Sequence, residues 1–399
     1  MDPDDSTKII LDQLPRGSFF ENLDLRQRDG FWYRPRHLEA AVACYSRFEA
    51  RDDDVILASA MKTGSTWLKA LCFSIMQRHC GGDGEKNEDL LAVHHPAFYV
   101  QTLEVQVYTA NPPPDLSGMQ SPRLFHTHLP YSALPESIKK SKCKTVYITR
   151  NPKDTFVSMW HFFNTRRTPE QGPYPLEDAF ESFCNGVFHY GPFFDHVLQY
   201  WNQSLKMPHK ILFLKYEDLQ RNPKDQVKRL ASFLGKPFAD GEEVEELIRK
   251  CSLERLKNLE VNKKGVDPWV GMPNSAFFRK GVVGDWENVL TPEMNDRLDQ
   301  ITCMKLKGSG LDLVHDATTC KKLEGSGLDL EHDATTCMKL EGSGLDLEHD
   351  ATTCMKLETS GLDLVHDAAT TMNLEGSGRS DLMHDEITCM KPEARGDPA

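Results

Sequence analysis

Val55-Ile-Leu-Ala-Ser59 runs directly into Ala60-Met-Lys-Thr-Gly-Ser-Thr66 and Trp67. This stretch decides the fold. The first five residues are short, apolar and rich in branched side chains, which suits a strand covered on both faces. Beyond Trp67, Leu68, Leu71, Cys72 and Ile75 recur at i, i+3, i+4 and i+7, one apolar stripe of an amphipathic helix. A strand, a glycine-containing turn and a helix opening near Trp67 are therefore expected in succession. Backbone N–H groups at such a helix start, with a glycine allowing close approach, form an anion cradle. Lys62 adds an ammonium, and Thr63, Ser65 and Thr66 add hydroxyl donors.

Outward from this unit the pattern repeats. Arg123-Leu-Phe-His-Thr127, Thr145-Val-Tyr-Ile-Thr149 and Ile211-Leu-Phe-Leu214 are further strand candidates. Helical stretches follow three of the four strands, which predicts an α/β fold with a doubly wound, mostly parallel sheet flanked by helices. Ligands of such sheets sit beyond the carboxyl ends of the strands. The segment at Lys62 is not a Walker A loop, because Lys62 precedes its only glycine, and no second acidic strand end offers Mg²⁺ ligands. Both points weigh against a kinase or NTPase.

A second cationic cluster follows the third strand. Arg150 stands at its end, and Ser158 lies eight residues on, about two helical turns, so both can face one ligand. A forked guanidinium there suits a phosphate. Phe277-Phe-Arg279-Lys280-Gly281 joins two more cations to a glycine. Two separated phosphate sites imply a ligand with phosphates at both ends, such as a nucleoside 3′,5′-bisphosphate.

Taken together, Lys62-Thr-Gly-Ser-Thr-Trp67, Thr127-His-Leu-Pro130, Tyr147-Ile-Thr-Arg-Asn-Pro-Lys-Asp154, Lys215-Tyr-Glu-Asp-Leu219 and Phe278-Arg-Lys-Gly281 with Gly284-Asp-Trp286 closely resemble the cytosolic sulfotransferases, the plant members in particular. The resemblance covers roughly residues 50 to 300. It implies a phosphate-loop-like sulfotransferase fold and transfer of a sulfuryl group from 3′-phosphoadenylyl sulfate (PAPS) to a hydroxyl of a small acceptor, such as a flavonoid, another phenolic, a steroid or a related plant metabolite. It implies no metal. Lys62, Thr63, Gly64, Ser65, Thr66 and Trp67 would hold the 5′-phosphosulfate end, with Trp67 also against the adenine. Arg150 and Ser158 would bind the 3′-phosphate, completed by Arg279, Lys280 and Gly281, and Tyr216 would contact the adenine. His128 would be the catalytic base and Lys62 the cation on the leaving phosphate. The residue types suit the chemistry: an imidazole titrates near working pH, and a lysine stabilises charge building on a leaving oxygen.

Some positions depart from the family's pattern. His126 stands where animal members carry Lys, as plant members commonly lack it, and is expected to be a supporting polar residue near the donor sulfate. A paired-His zinc site with His128 lacks a third ligand. Met61 replaces Pro in the loop, and Cys251 and Leu253 replace Thr and Phe near the adenine. Glu287 to Asp296 departs from the animal dimerisation motif, so a monomer or weak homodimer is expected.

The chain of 399 residues divides into a 1–47 segment contributing to an acceptor pocket, a 48–304 catalytic domain and a 305–399 repeat tail. The tail repeats every 17 residues from Lys305, each unit broken by Gly-Ser-Gly or Thr-Ser-Gly. Too few apolar residues per unit predict a disordered acidic tail. His315, His332, His349 and His366 each precede an Asp, but their spacing matches no defined zinc module. The units look like tandem copies of the enzyme's own ending. Of the net charge of −13, the tail holds −10 (19 acidic, 9 basic residues), leaving a nearly neutral body. That balance speaks against general nucleic-acid or membrane-surface binding. The acidic start lacks an apolar leader, no run of about 18 apolar residues occurs, and the eleven scattered cysteines read as free thiols, so a cytoplasmic enzyme is expected.

Overall fold

The computed structural model describes residues 12–21, 23–78 and 89–314, with four further strand segments in the tail. An antiparallel sheet opens the chain: β1 (Arg16–Phe19), β2 (Leu23–Arg28) and β3 (Phe31–Tyr33) lie in that order. Asp29 and Gly30, with φ of 51° and 80°, join β2 to β3 so that Arg28 pairs with Phe31. Both central residues being left-handed makes this a two-residue hairpin turn. Helix α1 (Pro35–Arg47) follows.

The main sheet has β4 (Val55–Ser59), β5 (Leu124–Thr127), β6 (Lys144–Thr149) and β7 (Ile211–Lys215) in the order β5-β4-β6-β7, all parallel. Its strands alternate between two apolar cores. Ile56, Ala58, Phe125, Tyr147 and Phe213 face one; Val55, Leu57, Val146, Ile148, Leu212 and Leu214 face the other. That alternation is why the runs read as continuously apolar: each side chain is buried, on one face or the other. Burying one such side chain contributes about 1.5–3 kcal/mol, and Leu57→Ala would cost about 2–5 kcal/mol through the cavity it leaves.

The longer helices cover the two faces. Helix α2 (Ser65–Gln77) sets Leu68, Leu71, Cys72 and Ile75 into the second core. It opens at Ser65, two residues before Trp67, because Gly64, at φ 113°, ends the loop there. Helix α3 (Pro152–Asn164) packs Phe156, Val157 and Met159 into the first core, starts on Pro152 and is capped by Asn151 accepting from Lys153 N–H. Helix α4 (Leu176–Cys184) and helix α5 (Phe193–Lys206) join the same face, whereas α6 (Pro223–Phe233) and α7 (Gly241–Lys250) join the other. The chain leaves β4 toward β5 on one side and returns past it to β6 on the other. The carboxyl ends of β4 and β6 therefore form the switch point where such sheets bind ligands.

Helix α8 (Pro292–Leu306) closes the domain, and two buried leucines lie beyond it. Leu311 and Leu313 sit in the first core, Trp201 donates to Ser309 O at 2.8 Å, and Lys215 donates to Asp312 O at 2.5 Å. The compact unit runs past residue 304, where the sequence reading ended the catalytic domain. The first copy of the repeated ending belongs to the core because Leu311 and Leu313 are buried in it.

A second unit comprises Gly327–Ala399. Its described residues are β8 (Asp346–His349), β9 (Met355–Thr359), β10 (Leu362–His366) and β11 (Met372–Glu375), antiparallel neighbours in chain order. The remainder of the tail, and with it most of the expectation of disorder, lies outside the described residues. So do His315 and His332, two of the four tail histidines, whereas His349 and His366 end β8 and β10. Among the described cysteines, Cys44, Cys72, Cys143, Cys184 and Cys251 are free thiols, as expected. Cys303 is disulfide-bonded, which that expectation did not include. No described helix is long and apolar enough to cross a membrane.

Candidate active site at the switch point

A cleft of about 850 Å³ opens over the carboxyl ends of β4 and β6. Its wall includes Lys62, Gly64, Ser65, Thr66, Trp67, His128, Arg150, Ser158, Tyr216, Arg279, Lys280 and Gly281. Of the residues that the resemblance assigns to donor binding and catalysis, only Thr63 is missing from that wall. Its hydroxyl is fully buried and lies 2.9 Å from Ala60 O and 3.0 Å from Ile148 O. The expected side-chain contact of Thr63 with a phosphate is therefore corrected: that hydroxyl ties the loop to β6 instead.

The loop itself is shaped for an anion. Lys62 holds φ 65°, an uncommon conformation for a residue with a side chain, and Gly64 holds 113°. A Cβ on Gly64 would stand 2.8 Å from Tyr216 Cδ2, so the close approach requires glycine. Helix α2 then begins with no side-chain cap and no acid in its first turn, leaving its first N–H groups and positive dipole end open. The Lys62 ammonium lies 3.9 Å from the Phe162 ring centroid. Burial, with Arg279 and Arg150 nearby, brings its pKa down to about 7.

Arg150 is buried, donates to Val282 O at 2.6 Å, lies 3.5 Å from Asp154 and stacks 4.6 Å from the Tyr216 ring. Tyr216 in turn donates to Gly281 O at 2.7 Å and meets Trp67 edge-on. Gly281 holds φ 64°, which strains a residue with a side chain, and a Cβ there would also push Leu253 Cδ2 aside. Arg279 and Lys280 each reach Asp285 at 2.6 Å. Burial pushes that carboxyl up, but the two cations outweigh burial and hold it below its usual range.

Two buried acids here were not singled out from the sequence. Asp154 accepts from Gly284 N–H at 2.9 Å and Trp286 N–H at 3.2 Å, tying α3 to the Arg279–Trp286 loop. Asp285 is 2% exposed and organises the two cations. Both stand inside the quoted motifs, which was the available signal; what they bond could only come from the fold. Cys251 does not reach the cleft. It is buried against Ser74 at 3.3 Å, whereas Leu253 and Leu256 line the wall.

A second cavity, of about 800 Å³, shares Met61, Ser65, Thr66, His128, Phe162 and Phe277 with the first. Its other walls include Arg34, His37, Lys69, His95, Phe163, Arg166, His189, Tyr190 and Asp267. Phe31 and Tyr33 are core residues, Phe278 is buried at the wall of the first cleft, and Phe98 is exposed. His128 stands at the junction of the two cavities. Its Nδ1 lies 2.9 Å from Ser59 O. A carbonyl only accepts, so Nδ1 carries the proton and the neutral ring keeps its lone pair on Nε2. Glu104 fixes the backbone beside it, accepting from His128 N–H at 2.7 Å and from the Thr127 hydroxyl at 2.8 Å. His196 donates from Nε2 to His128 O at 2.9 Å. Burial brings the His128 pKa down to about 3, partly opposed by the Ser59 hydrogen bond.

His126 lines neither cavity. It is fully buried behind His128, with Nε2 3.0 Å from Ser59 Oγ and Nδ1 3.1 Å from Thr102 Oγ1. Its expected place beside the donor sulfate is corrected: β5 turns it inward, where both ring nitrogens meet hydroxyls. Among the described residues, no group of three metal-ligating side chains converges on a point.

Residues 52–310 match the family model described as the sulfotransferase domain. This chain belongs to the sulfotransferase family. It is 44% identical to cytosolic sulfotransferase 5 of Arabidopsis thaliana over 78% of this chain and 97% of that protein. Among solved structures, an Arabidopsis thaliana putative steroid sulphotransferase superposes with a TM-score of 0.63, at 36% identity, over 79% of this chain and 98% of its own. A mouse sulfotransferase solved with PAP superposes at 0.56 and 27% identity, over 76% and 99% of the two chains. This sulfotransferase is thus an enzyme of that family, and its sheet and switch point are the family's.

Proposed function

We propose that this sulfotransferase moves a sulfuryl group from PAPS to a hydroxyl of a small, largely flat acceptor, with His128 as general base. The observation that carries the reading is the position of His128 on the wall shared by a cationic cleft and a separate, partly aromatic cavity. The residues of the first cleft fit a nucleotide with phosphates at two places. Arg150 Nε and Arg279 Nε are buried without a hydrogen-bond partner among the described residues, and such orphaned charged donors are costly unless an anion meets them. Bound there, PAPS supplies the sulfuryl group on its 5′-phosphate.

The chain's own residues then divide the work. Arg150, Ser158, Arg279, Lys280 and Gly281 hold the 3′-phosphate, and Trp67 and Tyr216 flank the adenine. Lys62 and the first N–H groups of α2 face the 5′-phosphate and stabilise negative charge that develops on its bridging oxygen. An anion beside Lys62 also opposes the desolvation that depresses its pKa. His128, held in one tautomer by Ser59, takes the acceptor's proton at Nε2 as the acceptor oxygen bonds sulfur. The mouse structure's bound PAP supports a bisphosphate at this switch point. Phe162 and Phe277 stand between the two cavities and offer an apolar face to an aromatic acceptor.

Transfer of labelled sulfate from PAPS to a panel of phenolic and steroid acceptors, with chelator present, tests this reading. Labelled product from the wild type and none from His128→Ala is the expected result. Equal product from both would overturn the base assignment. Neither product formation nor binding of adenosine 3′,5′-bisphosphate would overturn the whole reading.

A further inference from the structure

The second cavity contains charges that the proposed reaction does not use. Arg34 and Arg166 both line it. Neither guanidinium forms an ion pair with a described carboxylate, Arg34 being half-buried and Arg166 exposed, whereas the adjacent Arg167 pairs with Glu21. Arg166 is placed by neutral partners, donating to Val270 O and lying 3.0 Å from Met272 Sδ. Arg34 is half-buried, and its side chain has no hydrogen bond of its own among the described residues.

Electrostatics of the surrounding elements point the same way. Burial first, and then the positive charge of Arg166, lower the Arg34 pKa. Arg34 is also the residue preceding α1, a helix of thirteen residues with no side-chain cap and no acid in its first turn. Because His37 of that first turn lines the same cavity, the positive end of α1 adds to the field there. The nearby imidazoles contribute no charge. His37 and His189 stack at 4.8 Å and share a hydrogen bond at 3.0 Å, and burial keeps both neutral. Lys69 donates to Thr102 at 2.9 Å. The one carboxylate in the wall, Asp267, accepts the backbone N–H groups of Trp269 and Val270 at 3.0 and 2.9 Å.

We propose that Arg34, just before α1, and Arg166, just beyond α3, form an anion subsite of the acceptor cavity, so that the preferred acceptor carries a carboxylate or comparable anion on a body separate from its reacting hydroxyl. This rests on the reading of the second cavity as the acceptor site. Two guanidinium groups lining one cavity, neither ion-paired among the described residues, favour a planar, bidentate anion over a neutral group. A neutral isostere would leave both uncompensated. The stacked rings of His37 and His189 form a flat wall for the body between the two functional groups.

The test pairs a series of 4-hydroxyphenylalkanoates of increasing chain length with their methyl esters, all with PAPS. The wild type should prefer the acid over its ester by about tenfold or more in kcat/KM at one chain length, the size of a charge-assisted contact. Arg34→Gln and Arg166→Gln should each lower that ratio about tenfold, with Arg34→Lys between. Esters turned over as well as acids, or a ratio unchanged in both glutamine variants, would overturn the subsite while leaving the transferase reading intact. No transfer to any acid, ester or neutral phenol would overturn both.

Discussion

His128 Nδ1 lies 2.9 Å from the carbonyl oxygen of Ser59, the last residue of β4. Because β4 also leads into the Lys62 loop, one strand end sets both the tautomer of the imidazole and the position of the cationic cradle. The pairing of β4 with β5, with Ala58 opposite Thr127, holds the two in register.

Replacing His128 should therefore damage chemistry rather than assembly. His128→Ala is expected to lower kcat by about 10²–10⁴, the usual worth of a positioned general base. Affinity for adenosine 3′,5′-bisphosphate, measured by calorimetry, should stay within a few-fold.

The pH dependence of stability has a definite sign. Burial brings His37, His95 and His128 down to about 3 and His196 to about 4. Between those values and 6.5 the unfolded chain binds protons that the folded one does not. The stability these groups contribute is present above pH 6.5 and lost as pH falls toward 3. Urea midpoints measured from pH 8 to pH 4 should fall below about 6.5, and His37→Phe should flatten the fall. In kcat/KM, no step attributable to His128 should occur near 6.5.

Lys62 carries a stability cost. Its folded pKa of about 7 against 10.5 means the unfolded chain binds more protons between those values. Its contribution becomes less unfavourable as pH rises through that window. Lys62→Met should raise stability at pH 7 by on the order of 1 kcal/mol, about 2 °C in Tm, and should abolish transfer.

Arg150 is held by Val282 O, Asp154 and the Tyr216 ring at once. Lysine keeps the charge but loses the fork and the stacking. Arg150→Lys should weaken bisphosphate binding about tenfold or more, from the loss of charge-assisted hydrogen bonds worth about 1.5–3 kcal/mol each.

The last prediction concerns length. A chain ending after Val314 keeps Leu311 and Leu313 in the core and should retain kcat/KM within about twofold. A chain ending at Met304 loses both and should be destabilised by about 2–5 kcal/mol, read as a lower Tm.

The strands of the main sheet were legible because each is apolar on both faces, a pattern that needs no knowledge of its neighbours. So were the cationic motifs, since Lys62, Arg150 and Arg279 stand at strand ends or beside glycines. The N-terminal hairpin carries the turn signal Asp29-Gly30, but its strands of three to six residues are too short to show a sustained pattern. Other relationships join groups far apart in the chain. Thr63 spends its hydroxyl on Ile148, His126 turns to Thr102, and Arg34 comes to face the cavity that Arg166 lines. Local pattern fixes which residues can form a strand, a helix or an anion-binding turn, because those depend on near neighbours. Which hydroxyl is already bonded, which imidazole faces a cavity and which guanidinium lacks an ion pair depend on contacts between segments separated by 24 to 85 residues or more, and only the folded chain decides them.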